Sequence, residues 1–153
     1  VRFKNAPYTT AREMAEFIIE RTPDSLKYLP EDLFNSAILY DNKVKNAVSE
    51  RAASGDYKVT IDLDISKFKS GAGGQRLFSD EVDSSSLSLP LQDYVEVGIF
   101  SGGKEIYLKK HLFSEVESRL IISVDANPDQ VAIDPYFKLI DTNLSDNYLD
   151  IEK

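Results

Sequence analysis

From residue 57 to 65 the chain alternates without a break. Tyr57, Val59, Ile61, Leu63 and Ile65 are apolar, and Lys58, Thr60, Asp62 and Asp64 between them are polar. A period of two puts the first set on one face of an extended chain, so this stretch predicts a strand with one buried face. Residues 94–100 and 105–110 flank Ser101-Gly102-Gly103-Lys104, which predicts a β-hairpin. Residues 120–124 and 131–133 predict further strands, separated by the turn-rich Asp125-Ala126-Asn127-Pro128-Asp129. Residues 136–140 and 148–151 predict a last pair. Residues 39–48 predict the opening strand, interrupted at Asp41-Asn42-Lys43. About seven or eight strands with turns at short intervals and no intervening long helix predict an antiparallel, Ig-like β-sandwich, not a βαβ fold.

The first 37 residues keep a different period. Thr10-Ala11-Arg12-Glu13 fits a capping box, and Met14, Phe17, Ile18 and Arg21 come after it at helical spacing. Thr22-Pro23 ends that helix, because a proline disfavours the helical conformation in the residue before it. Residues 25–29 allow one more turn, and Pro30, with Glu31 and Asp32 after it, predicts a short helix running to about Ala37. The mainly-β fold is therefore preceded by two or three short helices. The expected division is a helical lead-in over 1–37 and a sandwich over 38–153. Such short helices do not stand alone in water, so their apolar faces predict a partner surface. Phe17, Ile18, Tyr28, Phe34 and Tyr40 are the candidate interface residues, with Tyr107 and Tyr136 as further tyrosine candidates.

Composition removes whole classes of function. Of 153 residues, 26 are acidic and 18 basic, giving a net charge of −8. Nucleic-acid affinity rests on clustered cations that displace counterions, so no nucleic-acid partner is expected, and no anionic membrane surface. No apolar run approaches the ~20 residues that span a bilayer, so no membrane insertion by this segment is expected. There is no cysteine and a single histidine, His111. Thiolate chemistry, His-pair zinc sites and an H-E-x-x-H helix are excluded from this chain. A Ser-His-Asp triad would need His111, which sits beside Lys109 and Lys110 that oppose its charging; a surface strand-end role is the expectation.

Four other stretches bear on chemistry. Gly71-Ala72-Gly73-Gly74-Gln75-Arg76 lacks the Lys and the adjoining helix of a phosphate loop, and predicts a hairpin connection. Ser84-Ser85-Ser86, beside Asp80, Glu81 and Asp83, is a second loop. Asp141, Asn143 and Asp146 place oxygens at calcium-loop intervals, but without the central glycine and terminal glutamate of such loops. Turn chemistry is the simpler reading. Asp62 and Asp64 share one strand face and predict the solvated side of an edge strand, not an acid–base pair.

Thr22-Pro23-Asp24-Ser25-Leu26, Asp32-Leu33-Phe34 and Leu39-Tyr40-Asp41-Asn42-Lys43-Val44 begin an ordered set of phrases. Val95-Glu96-Val97-Gly98-Ile99-Phe100, Ile133-Asp134-Pro135-Tyr136, Leu139-Ile140-Asp141 and Asp146-Asn147 complete it. Together these resemble the C-terminal portion of aminopeptidase-N-like zinc metallopeptidases of the gluzincin class. The similar subgroup is bacterial, with a peptidase-like domain fused to an ABC-transporter-type permease. The resemblance implies that the lead-in closes an upstream helical region and that the sandwich is appended to it. It also implies a membrane-anchored parent with this portion in the aqueous phase, on the extracytoplasmic side. The family's zinc ligands and general-base Glu match no position here, so no cofactor is expected in this chain and no catalytic residue is carried over. The start at Val1, without an initiator Met or a signal-peptide core, agrees with a piece of a longer protein.

Two functions stand as expectations. One is a non-catalytic accessory domain that packs on a peptidase-like domain of the same chain. The other is a free-standing adhesion or glycan-binding sandwich, with exposed aromatics and calcium at Asp141, Asn143 and Asp146.

Overall fold

A computed structural model of the chain describes residues 7–34, 37–70, 76–78 and 91–152. It divides into two compact units, Val1–Ile38 and Leu39–Lys153. In the first, helix α1 (Ala11–Arg21) begins at Thr10, whose hydroxyl accepts the Glu13 N–H at 3.2 Å. The Glu13 carboxylate accepts the Thr10 N–H at 2.9 Å, completing the capping box. A 3-10 turn (Asp24–Leu26) comes next, then helix α2 (Tyr28–Phe34). The second helix starts two residues earlier than Pro30 predicts. First-turn N–H groups have no intrahelical acceptor, so a proline within that turn forfeits no bond.

Among the described residues of the second unit, eight strands form two four-stranded sheets. The first sheet contains β1 (Ile38–Arg51), β2 (Tyr57–Ser70), β3 (Arg76–Phe78) and β6 (Glu117–Val124). β2 pairs with β1, and different stretches of it pair with β3 and β6. The second sheet has the order β5-β4-β7-β8, with β4 (Asp93–Ser101), β5 (Lys104–Phe113), β7 (Gln130–Ile133) and β8 (Tyr148–Asp150). The fold is a mainly antiparallel β-sandwich.

The expected alternation holds where it was strongest. Val59, Ile61, Leu63 and Ile65 of β2 and Val95, Val97 and Ile99 of β4 are all buried in one core. Ile122 of β6 pairs with Val59 and faces the same side. Phe113, Val131, Ile133 and Ile151 complete the interior. Gly102 and Gly103 connect β4 to β5 with φ of 56° and 75°, the left-handed pair a two-residue hairpin turn requires.

Three expectations are corrected. β1 runs unbroken through Asp41-Asn42-Lys43, because Asn42 continues the inward row of Tyr40 and Val44 and is fully buried. β2 is a central strand, not an edge, so Asp62 and Asp64 lie between cations on both neighbours. Arg119 of β6 holds Asp62 through two nitrogens, and Lys45 of β1 reaches Asp64 at 3.5 Å. Residues 136–140 form no strand; β8 pairs with β7 instead.

The end of the chain seals the free side of β1. Tyr40 N–H donates to the Ile140 carbonyl, Thr142 N–H to Tyr40, and Glu152 N–H to Ala47, at 2.9, 2.9 and 3.1 Å. β8 belongs to the other sheet, so residues 140–152 tie the two sheets together along one edge. The row of backbone groups that would otherwise template aggregation is thereby engaged at three points.

Candidate functional site

The helical unit exposes its apolar residues. α1 buries no residue at all, and Phe17 and Leu33 are 47% and 73% exposed. Ile18 and Phe34 are also exposed, whereas Tyr28 is half-buried. Phe17, Ile18, Leu26, Leu29 and Leu33 line an open groove of about 450 Å³ between the two helices. The Arg21 guanidinium lies 3.6 Å over the Phe17 ring and its Nη1 donates to the Phe17 carbonyl, fixing one wall. Of the expected interface residues, Phe17 and Ile18 line this groove. Phe34 borders Ala15 and Ile19 on another face of α1.

Tyr40 is no surface residue. It is buried in the sandwich, and its hydroxyl donates to Asp93 Oδ1 at 3.2 Å. Lys67 Nζ, also buried, lies 3.3 Å from Oδ1 and 3.2 Å from Oδ2 of the same carboxylate. A buried ion pair with a tyrosine as third member marks a site that tolerates no loss of one partner. The hydrophobic pattern gave one sign of it: Lys67 falls on the inward row of β2, where an unpaired cation cannot stay.

The Asp141–Asn147 oxygens serve the loop itself. Asp141 accepts the Asn42 N–H and the Asn143 N–H, each at 3.0 Å. Asn143 Oδ1 accepts the Ser145 hydroxyl at 2.6 Å, and its Nδ2 donates to Asp146 Oδ2 at 2.8 Å. Burial holds the Asp146 carboxyl above the usual carboxylate range, and Asp41 and Asp141 add to that. The side-chain amides of Asn42 and Asn147 are buried without a protein partner. The oxygens of Asp141 and Asn143 thus accept from local donors, as turn residues do. Among the described residues no three His, Cys, Asp or Glu side chains group so as to hold a metal ion.

His111 lies within β5, not at a surface strand end. It is half-buried, with Nε2 2.9 Å from the Tyr107 hydroxyl and its ring near Phe113. Burial lowers its pKa, and Lys109 lowers it further. No carboxylate or serine contact that would complete a triad accompanies it among the described residues. The glycine-rich residues 71–74 and the serine loop 84–86 lie outside the described residues. The next described element after the glycines is strand β3, not a helix.

A feature that the sequence pattern missed lies on the outer face of the second sheet. Residues 134–139, which overlap the strand expected over 136–140, instead fold back over β4. Asp134 is buried at φ 42°, and its carboxylate accepts the Lys138 and Leu139 N–H groups at 3.1 and 2.8 Å. Phe137 has φ 52°, an outlier for a bulky side chain that costs on the order of 1–3 kcal/mol. Tyr148 packs between Phe100 and Phe137, with ring centroids 6.2 and 6.3 Å away, and donates its hydroxyl to the Pro135 carbonyl at 2.6 Å. Gly98 makes room, since a Cβ there would stand 3.0 Å from the Phe100 ring and 3.3 Å from Pro135. Tyr136 and Phe137 are left half exposed. Two signals pointed here: a glycine inside a strand marks a close approach, and Asp-Pro marks a turn.

No family model, curated protein or solved structure matched the chain. The two exposed surfaces, the helical groove and the aromatic loop, are therefore weighed on their own chemistry. Among the described residues no helix is long and apolar enough to cross a membrane.

Proposed function

We propose that the chain is a non-catalytic accessory module whose helical unit docks on a peptidase-like domain. The observation that carries this reading is the groove lined by Phe17, Ile18, Leu26, Leu29 and Leu33. Phe17, Ile18 and Leu33 on this open surface are exposed and forgo the burial that would stabilise them, at roughly 25 cal/mol per Å² of apolar area left in water. Single exposed apolar residues are ordinary on protein surfaces; a groove of them is a mark of interaction. The aminopeptidase-N-like resemblance supplies the partner: a zinc-dependent peptidase-like region, in a permease-fused parent, on the extracytoplasmic side. In this reading zinc and its ligands belong wholly to that partner, and the sandwich supports or positions it.

The test has two arms. The coding sequence upstream of Val1 is expected to encode a peptidase-like region, and its absence would sink the reading. A photo-crosslinker at Leu33 in the full-length protein is expected to join the groove to that region. Crosslinks confined to a second copy, or to residues 39–153, would replace docking with self-association or internal packing.

A second reading, a free-standing binding module, is favoured by one observation. The loop over β4 holds two aromatic side chains outward on a strained backbone.

A further inference from the structure

We infer that strand β6 pairs with β6 of a second copy of this chain, joining the first sheets of the two copies into one. The inference concerns the sandwich alone and holds whether or not the helical groove docks on a peptidase-like domain.

A strand at the side of a sheet carries a row of backbone N–H and C=O groups that another strand can satisfy, and proteins guard such rows. The other sides of the two sheets are guarded. Residues 140–152 bond to the outer side of β1, and they carry the short β8 beside β7. β5 has Lys109 opposite the core residue Val97 and Lys110 opposite Glu96, so a lysine stands on each face of that strand. β6 is the exception. Among the described residues it pairs with β2 alone, along Glu117–Val124. From Leu120 to Val124 it holds no charge, proline or glycine, and Ile121 is 59% exposed. The Ile65 N–H donates to the Val116 carbonyl at 2.8 Å, which sets the phase of the β2–β6 ladder. Bonded and non-bonded pairs alternate in an antiparallel ladder. Leu120 and Ile122 therefore bond to β2, while Arg119, Ile121 and Ser123 turn their backbone groups to the open side.

The side chains make this edge complementary to itself, as a twofold interface requires. Bonds form only in registers that oppose outward-turned residues to one another. Centred on Ile121, such a register sets Glu117 against Asp125; centred on Arg119, it sets two guanidinium groups face to face. Centred on Leu120, residues 117–123 of the two copies oppose one another with no like charges directly across. Arg119 then meets Ile121, Glu117 meets Ser123, and Ser118 meets Ile122. Leu120, half-buried at the margin of the core, meets its own copy at the axis. Opposed apolar residues stabilise a strand pair, and like charges directly opposite destabilise it. Arg119 stays on Asp62 and so brings an already compensated charge to the interface.

The full 153-residue chain would be followed by sedimentation equilibrium over a range of concentrations. Its mean mass should rise from one chain toward two. Ile121→Lys sets an ammonium opposite Arg119 of the second copy, at both symmetry-related places, and should weaken the dimer about tenfold. Ile121→Glu sets a carboxylate there and should leave the dimer at least as tight. The Ile121 side chain is exposed, so both variants should fold as the parent does. The chain has no cysteine, so a single introduced one reports the register. Leu120→Cys falls at the axis in a non-bonded pair about 4.5 Å across and should oxidise to a linked dimer. Ser123→Cys, on the order of 20 Å from its own copy in this register, should not. A mass of one chain at every concentration would overturn the inference. So would a dimer equally tight in Ile121→Lys, which would belong to another surface, or linkage through Ser123→Cys as fast as through Leu120→Cys.

Discussion

Helix α1 and strand β2 carry comparable apolar content and reach opposite ends of the burial scale. α1 has Met14, Phe17, Ile18 and Ile19 and buries none of them. β2 has Val59, Ile61, Leu63 and Ile65, all at most 1% exposed. The difference lies in the surfaces against which each element can pack. β2 has neighbours on both edges and an opposing sheet across the core, so each inward residue is surrounded. α1 and α2 are short, and two short helices offer each other one stripe and leave the rest in water. Among the described residues, the inward row of β2 is enclosed and the apolar residues of α1 are exposed.

The largest effect available to break this contrast lies in the buried ion pair. Asp93→Ala removes the buried carboxylate that lies against the Lys67 ammonium and accepts from Tyr40. A loss of about 3–5 kcal/mol is expected in chemical denaturation. Replacing both partners, as Lys67→Met with Asp93→Leu, should recover most of that loss, because no charge is then left unpaired. A single variant that unfolds no more easily than the parent would show that Lys67 does not depend on Asp93.

Ile61 and Leu33 measure the contrast directly. Ile61→Ala opens a cavity in a fully enclosed site and should cost about 2–5 kcal/mol. Leu33→Ala, at a side chain 73% exposed, should change stability by no more than about 0.5 kcal/mol. Both are read from denaturation midpoints at constant slope. A Leu33 effect as large as that of Ile61 would make the helical groove a core.

These same residues mark how far the sequence could be read. Alternation in β2 and β4 is a strong signal because a half-buried strand has one dry face, and sequence shows that face directly. The Gly102-Gly103 turn and the Thr10–Glu13 box were legible because each depends on neighbours in the chain. Asn42 misled because a polar triplet ordinarily breaks a strand, and only the tertiary position of β1 buries that amide. Lys67 is the same kind of case, its partner Asp93 lying 26 residues away. The aromatic loop was the least legible feature. Residues 136–140 alternate weakly enough to pass for a strand, and the bonds that fold the loop back come from Asp134 within it and from Glu96 and Tyr148 on other elements.

A smaller effect probes the helical side. Thr10→Ala removes the hydroxyl that accepts the Glu13 N–H and should destabilise the first turn of α1 by about 1 kcal/mol. Amide exchange at Glu13 should quicken accordingly. Thr10→Ser, which keeps the acceptor, should leave it near the parent rate. Equal rates in all three would mean that α1 is held by packing and not by its cap.

The smallest effect is a pH dependence confined to the sandwich. Burial depresses the His111 pKa, with Lys109 adding to it, so the unfolded chain takes up this proton more readily than the folded one. Stability from His111 is therefore fully present above the ordinary imidazole value of about 6.5 and declines as pH falls through the lower folded value. Asp146 acts with the opposite sign. Its raised pKa means the folded chain holds that proton more tightly, so its contribution is present at acidic pH and lost as pH rises through the folded value. The His111 window extends downward from the imidazole value and the Asp146 window upward from the carboxylate value, with opposite signs. Denaturation midpoints measured from neutrality downward should fall first, and His111→Gln should flatten that first decline. Asp146→Asn should leave the first decline in place and steepen the loss at lower pH, where its opposing contribution has been removed. An unchanged profile in His111→Gln would mean that the ring between Tyr107 and Phe113 titrates as freely as it does in the unfolded chain.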